Sequence, residues 1–306
     1  MSKLRARRSE LTAVMRSRNT REGYAQDWRL FSAWCSAAGR DALPASTDTV
    51  SLYVTYELER GMRVATVARR VAAIAWHHRL AAHDPPIGGD VRAVVGGARR
   101  ERLERPQGKA ALTVEQLLAI ARAMSCEDVL AVRDRAILFF GFASALRRSE
   151  LVALDLADLS VTRDGLVVRL RRSKTDQEGR GRDMGIPPAA RRRSICAVAA
   201  MRAWLRERGP WRGPLFCPVT PGGALLRRRL AGQTVAEVVQ RAVALIGLDP
   251  AAYGAHSLRA GLVTAALASG ADSVQVMSRT GHRSAAMIER YYRPDLFAGD
   301  PLAKAI

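Results

Sequence analysis

The sequence predicts a mainly α-helical protein of two domains, with one small three-stranded antiparallel sheet in the second. Three observations carry this. Apolar residues recur at three- and four-residue steps through most of the chain. Runs suited to strands occur only between Leu159 and Ile186. A charged stretch broken by Pro106 and Gly108 separates two helical regions. With 306 residues and 48% apolar content, each domain can bury a core of its own.

Residues 1–18 are rich in arginine, show little periodicity and read as a basic N-terminal arm. Asn19 and Glu22 have capping-box spacing ahead of a helix whose apolar face is Tyr24, Trp28, Phe31 and Cys35. Gly39 and Pro44 break it. A second helix runs from Thr47 to Arg60 on Val50, Val54 and Leu58, and Gly61 ends it. Val64, Val67, Val71 and Ile74 mark a third, stopped by Asp84-Pro85-Pro86, and Val91, Val94 and Val95 mark a short fourth. Residues 19–98 thus form a helical domain, with Arg63, Arg69, Arg70 and Arg79 expected on a basic outer side.

Residues 99–112 read as a linker, and 113–306 as the second domain with a C-terminal tail. Thr113 and Gln116 form a capping box at its start. A longer apolar helix spans Leu130 to Phe142. Strands are expected at Leu159–Val161, Leu166–Leu170 and Arg182–Ile186. Asp164-Gly165 makes the first turn and S-K-T-D-Q-E-G-R-G the second. Helices return after Arg191, including 234–246 and 257–268.

The charge balance is the most informative bulk property. Net charge is +20, and such an excess binds polyanions by releasing their counterions. Only Lys3, Lys109, Lys174 and Lys304 are lysines. Codon bias accounts for arginine over lysine, but not for the surplus over Asp and Glu, so nucleic acid is the expected partner. His77, His78 and His83 sit in or just after the third helix. Adjacent histidines diverge on a helix and make poor joint metal ligands, so solvent or DNA-backbone contact is expected of them. The four cysteines (Cys35, Cys126, Cys196, Cys217) are far apart and lack C-x-x-C pairing. They read as buried free thiols, neither a zinc ribbon nor a disulfide framework. No apolar run approaches the roughly 20 residues of a membrane span, and no signal-peptide core follows the basic N-terminus. A cytoplasmic protein with no membrane partner is expected.

Several residues carry chemical potential. Arg147 falls between two helices with Glu150 three residues on, so the carboxylate can orient the guanidinium fork; a local Arg–Glu surface pair explains the spacing as well. Lys174 sits at a hairpin tip in a chain whose other cations are nearly all arginine. An ammonium can give up a proton where a guanidinium stays charged, although a turn lysine needs no such role. His256 and Arg259 share one face of a helix that is otherwise largely apolar, which suits a bound anion or a satisfied structural pair. No histidine fits the H-E-x-x-H zinc pattern, and no metal is expected. Tyr291 and Tyr292 close the set; a phenol needs cationic neighbours or a base before it acts as a nucleophile.

In order, Arg147, Lys174, His256-x-x-Arg259, Gly281-His282 and a tyrosine nine residues after that histidine resemble the tyrosine recombinase (phage integrase) family. The resemblance covers nearly the whole chain. T-R-E-G-Y-A-Q-D-W-R-L-F-S-A-W-C looks like the family's core-binding domain, and 110–295 looks like its catalytic domain. The resemblance implies that Arg147 and Arg259 clamp a phosphate, that Glu150 supports them and that Lys174 is the hairpin lysine. It makes His256 and His282 hydrogen-bonding groups, with His256 also a base, and it selects Tyr291 over Tyr292 as nucleophile. Arg148, where a small apolar residue is common, and a short tail after Tyr291 are departures. The implied activity is site-specific recombination of double-stranded DNA through a 3′-phosphotyrosyl intermediate. It needs no cofactor, ATP or metal. A homotetramer on the recombination site, room for accessory DNA-bending proteins and a place with the nucleoid follow from the same resemblance. A type IB topoisomerase-like relaxing enzyme is the alternative with the same chemistry, and a non-catalytic DNA-binding relic would have lost a member of the set.

Overall fold

The computed structural model describes residues 7, 18–103, 108–171, 181–282 and 284–289. The chain divides into two compact units, Met1–Gln107 and Gly108–Ile306. In the first, the three- and four-residue apolar steps become helices α1 (Arg18–Ala37), α2 (Thr47–Glu59), α3 (Val64–Leu80) and α4 (Gly89–Arg102). Ser46 caps α2, its hydroxyl accepting from the Thr49 amide at 3.1 Å. Helix α1 packs on α3 and α2 on α4, enclosing Phe31, Val50, Tyr53, Val54, Ile74 and Val91.

Four expectations for this unit are corrected. Asn19 lies inside α1, which already includes Arg18, so the Asn19–Glu22 spacing does not mark its start. Helix α4 runs on to Arg102 because its arginine- and glutamate-rich end has good helix formers; it stops where Leu103 turns left-handed at φ 41°. His78 is fully buried, with Nε2 accepting from the Ala45 amide (2.9 Å) and Nδ1 donating to the Ile74 carbonyl (2.8 Å). His77 stacks on Trp28 at 4.5 Å between ring centroids. Both are packing groups, and of the three histidines only His83 is exposed. Arg70, finally, does not belong to an outer basic face. Its side chain is 11% exposed and lies between two buried carboxylates, 2.5 Å from Glu57 and 3.8 Å from Asp27. It also donates to the Tyr53 hydroxyl at 3.2 Å.

The second unit opens with the Thr113–Gln116 capping box, both halves formed, on α5 (Val114–Ala123). Helix α6 (Val129–Ser144) is apolar on nearly every side because it is the hub, packed against α8 (Ala197–Arg208), α9 (Gly232–Ala244), α10 (Ala255–Ala268) and β3. Short α7 (Arg148–Ala153) follows it. Strands β1 (Leu159–Thr162), β2 (Gly165–Leu170) and β3 (Arg182–Ile186) form an antiparallel sheet in chain order. Leu159 faces Val168, and Val168 faces Met184. The alternation on β2 turns Leu166, Val168 and Leu170 to the core. Helices α11 (Ser273–Thr280) and α12 (Ala285–Glu289) complete the described part. The fold is mainly helical with one three-stranded antiparallel sheet, as the sequence predicts. Cys126 is exposed, against expectation, while Cys35, Cys196 and Cys217 are buried and unpaired. No described helix is long and apolar enough to cross a membrane.

Candidate active site

Two left-handed turns build the site. The first ends α6: Ala145 takes φ 50°, and the chain leaves extended so that Arg147 sits at the N-terminus of α7 with φ −65° and ψ 149°. Glu150, one turn into α7, accepts from the Arg147 amide at 2.8 Å and from its Nη1 at 2.7 Å. The pair is not a surface bridge, since the Glu150 side chain is 5% exposed and that of Arg147 21%. A charge-assisted contact of this kind holds the guanidinium in one orientation. Arg148 is the first residue of α7 and exposed, so its charge stays in water.

Arg259 comes from α10, which is pressed against its neighbours at Gly261. A Cβ at that position would stand 2.0 Å from the Leu112 carbonyl oxygen and 2.8 Å from the Phe142 ring. Only glycine permits this approach, and it brings Arg259 beside the end of α6. There Nη1 donates to the carbonyls of Ala145 and Thr280, each at 2.8 Å.

The second left-handed turn ends α11 at Gly281, φ 68°, and folds His282 back onto Arg259. His282 Nε2 lies 2.8 Å from Arg259 Nη2, and Nδ1 lies 2.8 Å from Thr280 Oγ1. A guanidinium only donates, so Nε2 accepts and the ring proton is on Nδ1. Burial lowers the His282 pKa to about 4, with Arg259, Arg147 and His256 pushing the same way. His256, one turn before Arg259 on α10, is exposed at the surface. Even so, the atoms packed about its ring desolvate it enough to lower its pKa, helped by Arg259 and Arg147. Both imidazoles are therefore held neutral near pH 7.

The described site residues thus come together: Arg147 with Glu150, Arg259 with His282, and His256 within electrostatic reach of both arginines. Lys174, Tyr291 and Tyr292 lie outside the described residues. The flanks of the Lys174 hairpin are described. Arg171 Nε donates to Asp158 at 2.6 Å, and Arg182 donates to the carbonyls of Ser278 and Arg279 at the end of α11. Arg279 returns a bond to the Gly185 carbonyl. A cation on the last carbonyls of a helix also complements its dipole. Arg182 lies 3.5 Å from where a Gly281 Cβ would be. Its pKa is lowered by burial, with Glu150 and Arg147 acting in opposite senses. The sequence reading missed Arg182 and Thr280. Neither falls in a motif; adjacency to the hairpin and to Gly281-His282 was the only signal. Among the described residues, no group of three or more His, Cys, Asp or Glu is placed to hold a metal ion.

The phage integrase family matches residues 110–296, and the chain belongs to that family. The enzyme is a tyrosine site-specific recombinase, as its relatives are. A relative from Selenomonas ruminantium, "Integrase/recombinase xerD homolog", is 38% identical over 277 residues, covering 89% of this chain and 81% of that protein. "Tyrosine recombinase XerC" of Mycobacterium leprae (strain TN) is 30% identical over 295 residues, covering 90% and 88%. Among solved structures, the Tn1549 transposon integrase in complex with transposon right end DNA is similar over 97% of each chain, with TM-score 0.64 and 15% identity. A lambda integrase dimer bound to a COC′ core site is similar over 95% of this chain and 76% of that one, with TM-score 0.60 and 16% identity. At such identities the structural likeness speaks for the fold alone.

The neutral His282 has a thermodynamic consequence. The unfolded chain takes up its proton near pH 6.5, whereas the folded chain does so only near pH 4. His282 therefore adds stability above pH 6.5 that is lost as the pH falls towards 4. The urea midpoint of wild type should exceed that of His282→Gln by more at pH 7 than at pH 4.5. A difference that stays constant over this range would mean that His282 titrates as it does in the unfolded chain.

Proposed function

We propose that this recombinase cleaves and rejoins double-stranded DNA through a 3′-phosphotyrosyl intermediate formed on Tyr291. The Tyr291 oxygen attacks the phosphorus, and the bond from phosphorus to the 5′ oxygen breaks. His256 takes the phenol proton, and Lys174 protonates the departing 5′ oxygen. Arg147 and Arg259 hold the non-bridging oxygens as charge builds on them, with Glu150 fixing Arg147 and His282 contributing a hydrogen bond that holds Arg259, its Nε2 accepting from Nη2. The phosphotyrosyl bond retains the energy of the one broken, so the reverse attack by a 5′ hydroxyl rejoins the strand without ATP, metal or cofactor.

The observation that carries this reading is that two arginines distant in sequence are fixed side by side, Arg259 being bonded to the carbonyl two residues before Arg147. The neutral state of His256 suits a proton acceptor. The net charge of +20 suits a DNA substrate. In this reading the helices up to Arg102 are a core-binding domain, the stretch that follows them to 112 a linker and 113–306 the catalytic domain, with the arm 1–18 adding basic contacts. Exchange between two duplexes uses four sites, hence a homotetramer on the recombination site, with accessory DNA-bending proteins where that site requires them. The enzyme would work in the cytoplasm, at the nucleoid.

The test is capture of denaturant-resistant protein–DNA adducts on DNA flanking the gene, with wild type, Tyr291→Phe and Tyr292→Phe. Adducts from wild type and Tyr292→Phe, but none from Tyr291→Phe, are expected. Loss only in Tyr292→Phe would move the nucleophile by one residue. A wild-type protein that binds this DNA tightly and recombines it without any adduct would overturn the mechanism.

A further inference from the structure

We infer that Thr280 is a positioning residue of the site, setting the tautomer of His282 and, through it, the orientation of Arg259. Thr280 is 1% exposed and is the last residue of α11. Its hydroxyl lies 2.7 Å from the Val276 carbonyl and 2.8 Å from His282 Nδ1. A hydroxyl has one proton, and the carbonyl can only accept it. Towards His282, Thr280 is therefore an acceptor, and Nδ1 must carry the ring proton. The lone pair on Nε2 is then turned to Arg259 Nη2 at 2.8 Å. The Thr280 carbonyl meanwhile accepts from Arg259 Nη1 at 2.8 Å. One residue thus orients the guanidinium twice, directly by its carbonyl and indirectly by its hydroxyl.

The alternative tautomer would set an Nε2–H against a guanidinium N–H, two donors with no acceptor between them in a buried place. Arg259 would have to tilt away, and displacement of a positioned group by about 1 Å is enough to slow a reaction by roughly a hundredfold. Among the described residues, the other charged and titratable groups that act on His282 are Arg147, at the start of α7, and His256, on α10. As neighbours that disfavour a second ring proton, they keep the ring neutral but do not choose between its nitrogens. That choice falls to the two hydrogen-bond partners of the ring, Arg259 at Nε2 and Thr280 at Nδ1, and Thr280 is the one that accepts the Nδ1 proton.

The test reads the ring and the guanidinium directly and needs no DNA. Full-length protein labelled with 15N at histidine and arginine is examined by NMR at neutral pH, with His282→Gln and Arg259→Lys assigning the signals. Wild type and Thr280→Ser should show His282 protonated on Nδ1 and resolved, hydrogen-bonded Nη protons on Arg259. Thr280→Val, which keeps the shape and removes the hydroxyl, should lose the pure Nδ1–H pattern and broaden the Arg259 signals. Where adducts form, their rate should fall about a hundredfold in Thr280→Val and recover in Thr280→Ser, with DNA affinity unchanged. A wild-type ring protonated on Nε2, or a Thr280→Val protein with unchanged His282 and Arg259 signals, would overturn the inference. The rate effect rests on the proposed clamp. Absence of adducts from wild type would count against that chemistry, while the NMR result still decides the role of Thr280.

Discussion

Replacing Arg259 with lysine is expected to slow covalent adduct formation by about two to three orders of magnitude, the usual cost of losing one donor aimed at developing charge. The reason lies in how Arg259 is held. Its Nη1 spans the carbonyls of Ala145 and Thr280, and its Nη2 meets His282, all at 2.8 Å. A planar fork can meet these three acceptors and still present an edge to a phosphate. An ammonium is a point charge on a flexible stem, and it cannot span the two carbonyls and reach the imidazole together. The positive charge survives in Arg259→Lys, so the variant separates fixed geometry from charge. DNA affinity should change little, because one cation remains one cation to the counterion atmosphere. Single-turnover adduct rates measured beside equilibrium binding give the answer. A rate within tenfold of wild type would remove Arg259 from the proposed clamp.

The largest effect on stability is expected in the first unit, far from this chemistry in sequence. Arg70 lies between Glu57 and Asp27, whose side chains are 3% and 1% exposed. Burial raises the Asp27 carboxyl above its ordinary range, although Arg69 and Arg70 pull it down. Burial likewise pushes the Tyr53 phenol up to about 12. Arg70→Met would fill similar space but take away the 2.5 Å partner of Glu57, leaving it half-exposed Arg60 at 3.6 Å and leaving Asp27 half-exposed Arg69 at 3.1 Å; breaking a buried pair in this way typically costs about 3–5 kcal/mol. In a unit of this size that lowers the melting temperature by on the order of 10 °C or more. Replacing the whole cluster, with Asp27→Leu and Glu57→Leu added to Arg70→Met, should restore most of the loss, since apolar packing substitutes well for a complete ion cluster. Calorimetry of the three proteins tests this. An Arg70→Met protein melting within about 4 °C of wild type would show that water or protonation relieves the carboxylates at little cost.

Local rules made much of this protein legible in its sequence. The Thr113–Gln116 capping box, the three strands and the helices of the first unit follow from apolar period and cap chemistry. These are contacts within a few residues, and residue types specify them directly. The i to i+3 spacing of Arg147 and Glu150 likewise put a contact within reach at the start of a short helix, and the phage integrase pattern made Arg259 and His282 candidates. The burial of His78, the inward turn of Arg70 and the exposure of Cys126 were not legible. Periodicity reports that a face is buried, but not which distant group will cover it. The same limit hid Arg182 and Thr280, whose significance comes from where two left-handed turns, at Ala145 and Gly281, deliver their neighbours. The sequence by itself determined which elements form and which side chains are candidates for the chemistry. Only the tertiary structure decided which atoms meet, because hydrogen bonds between residues a hundred positions apart depend on helix packing, close approach at Gly261 and turn geometry acting together.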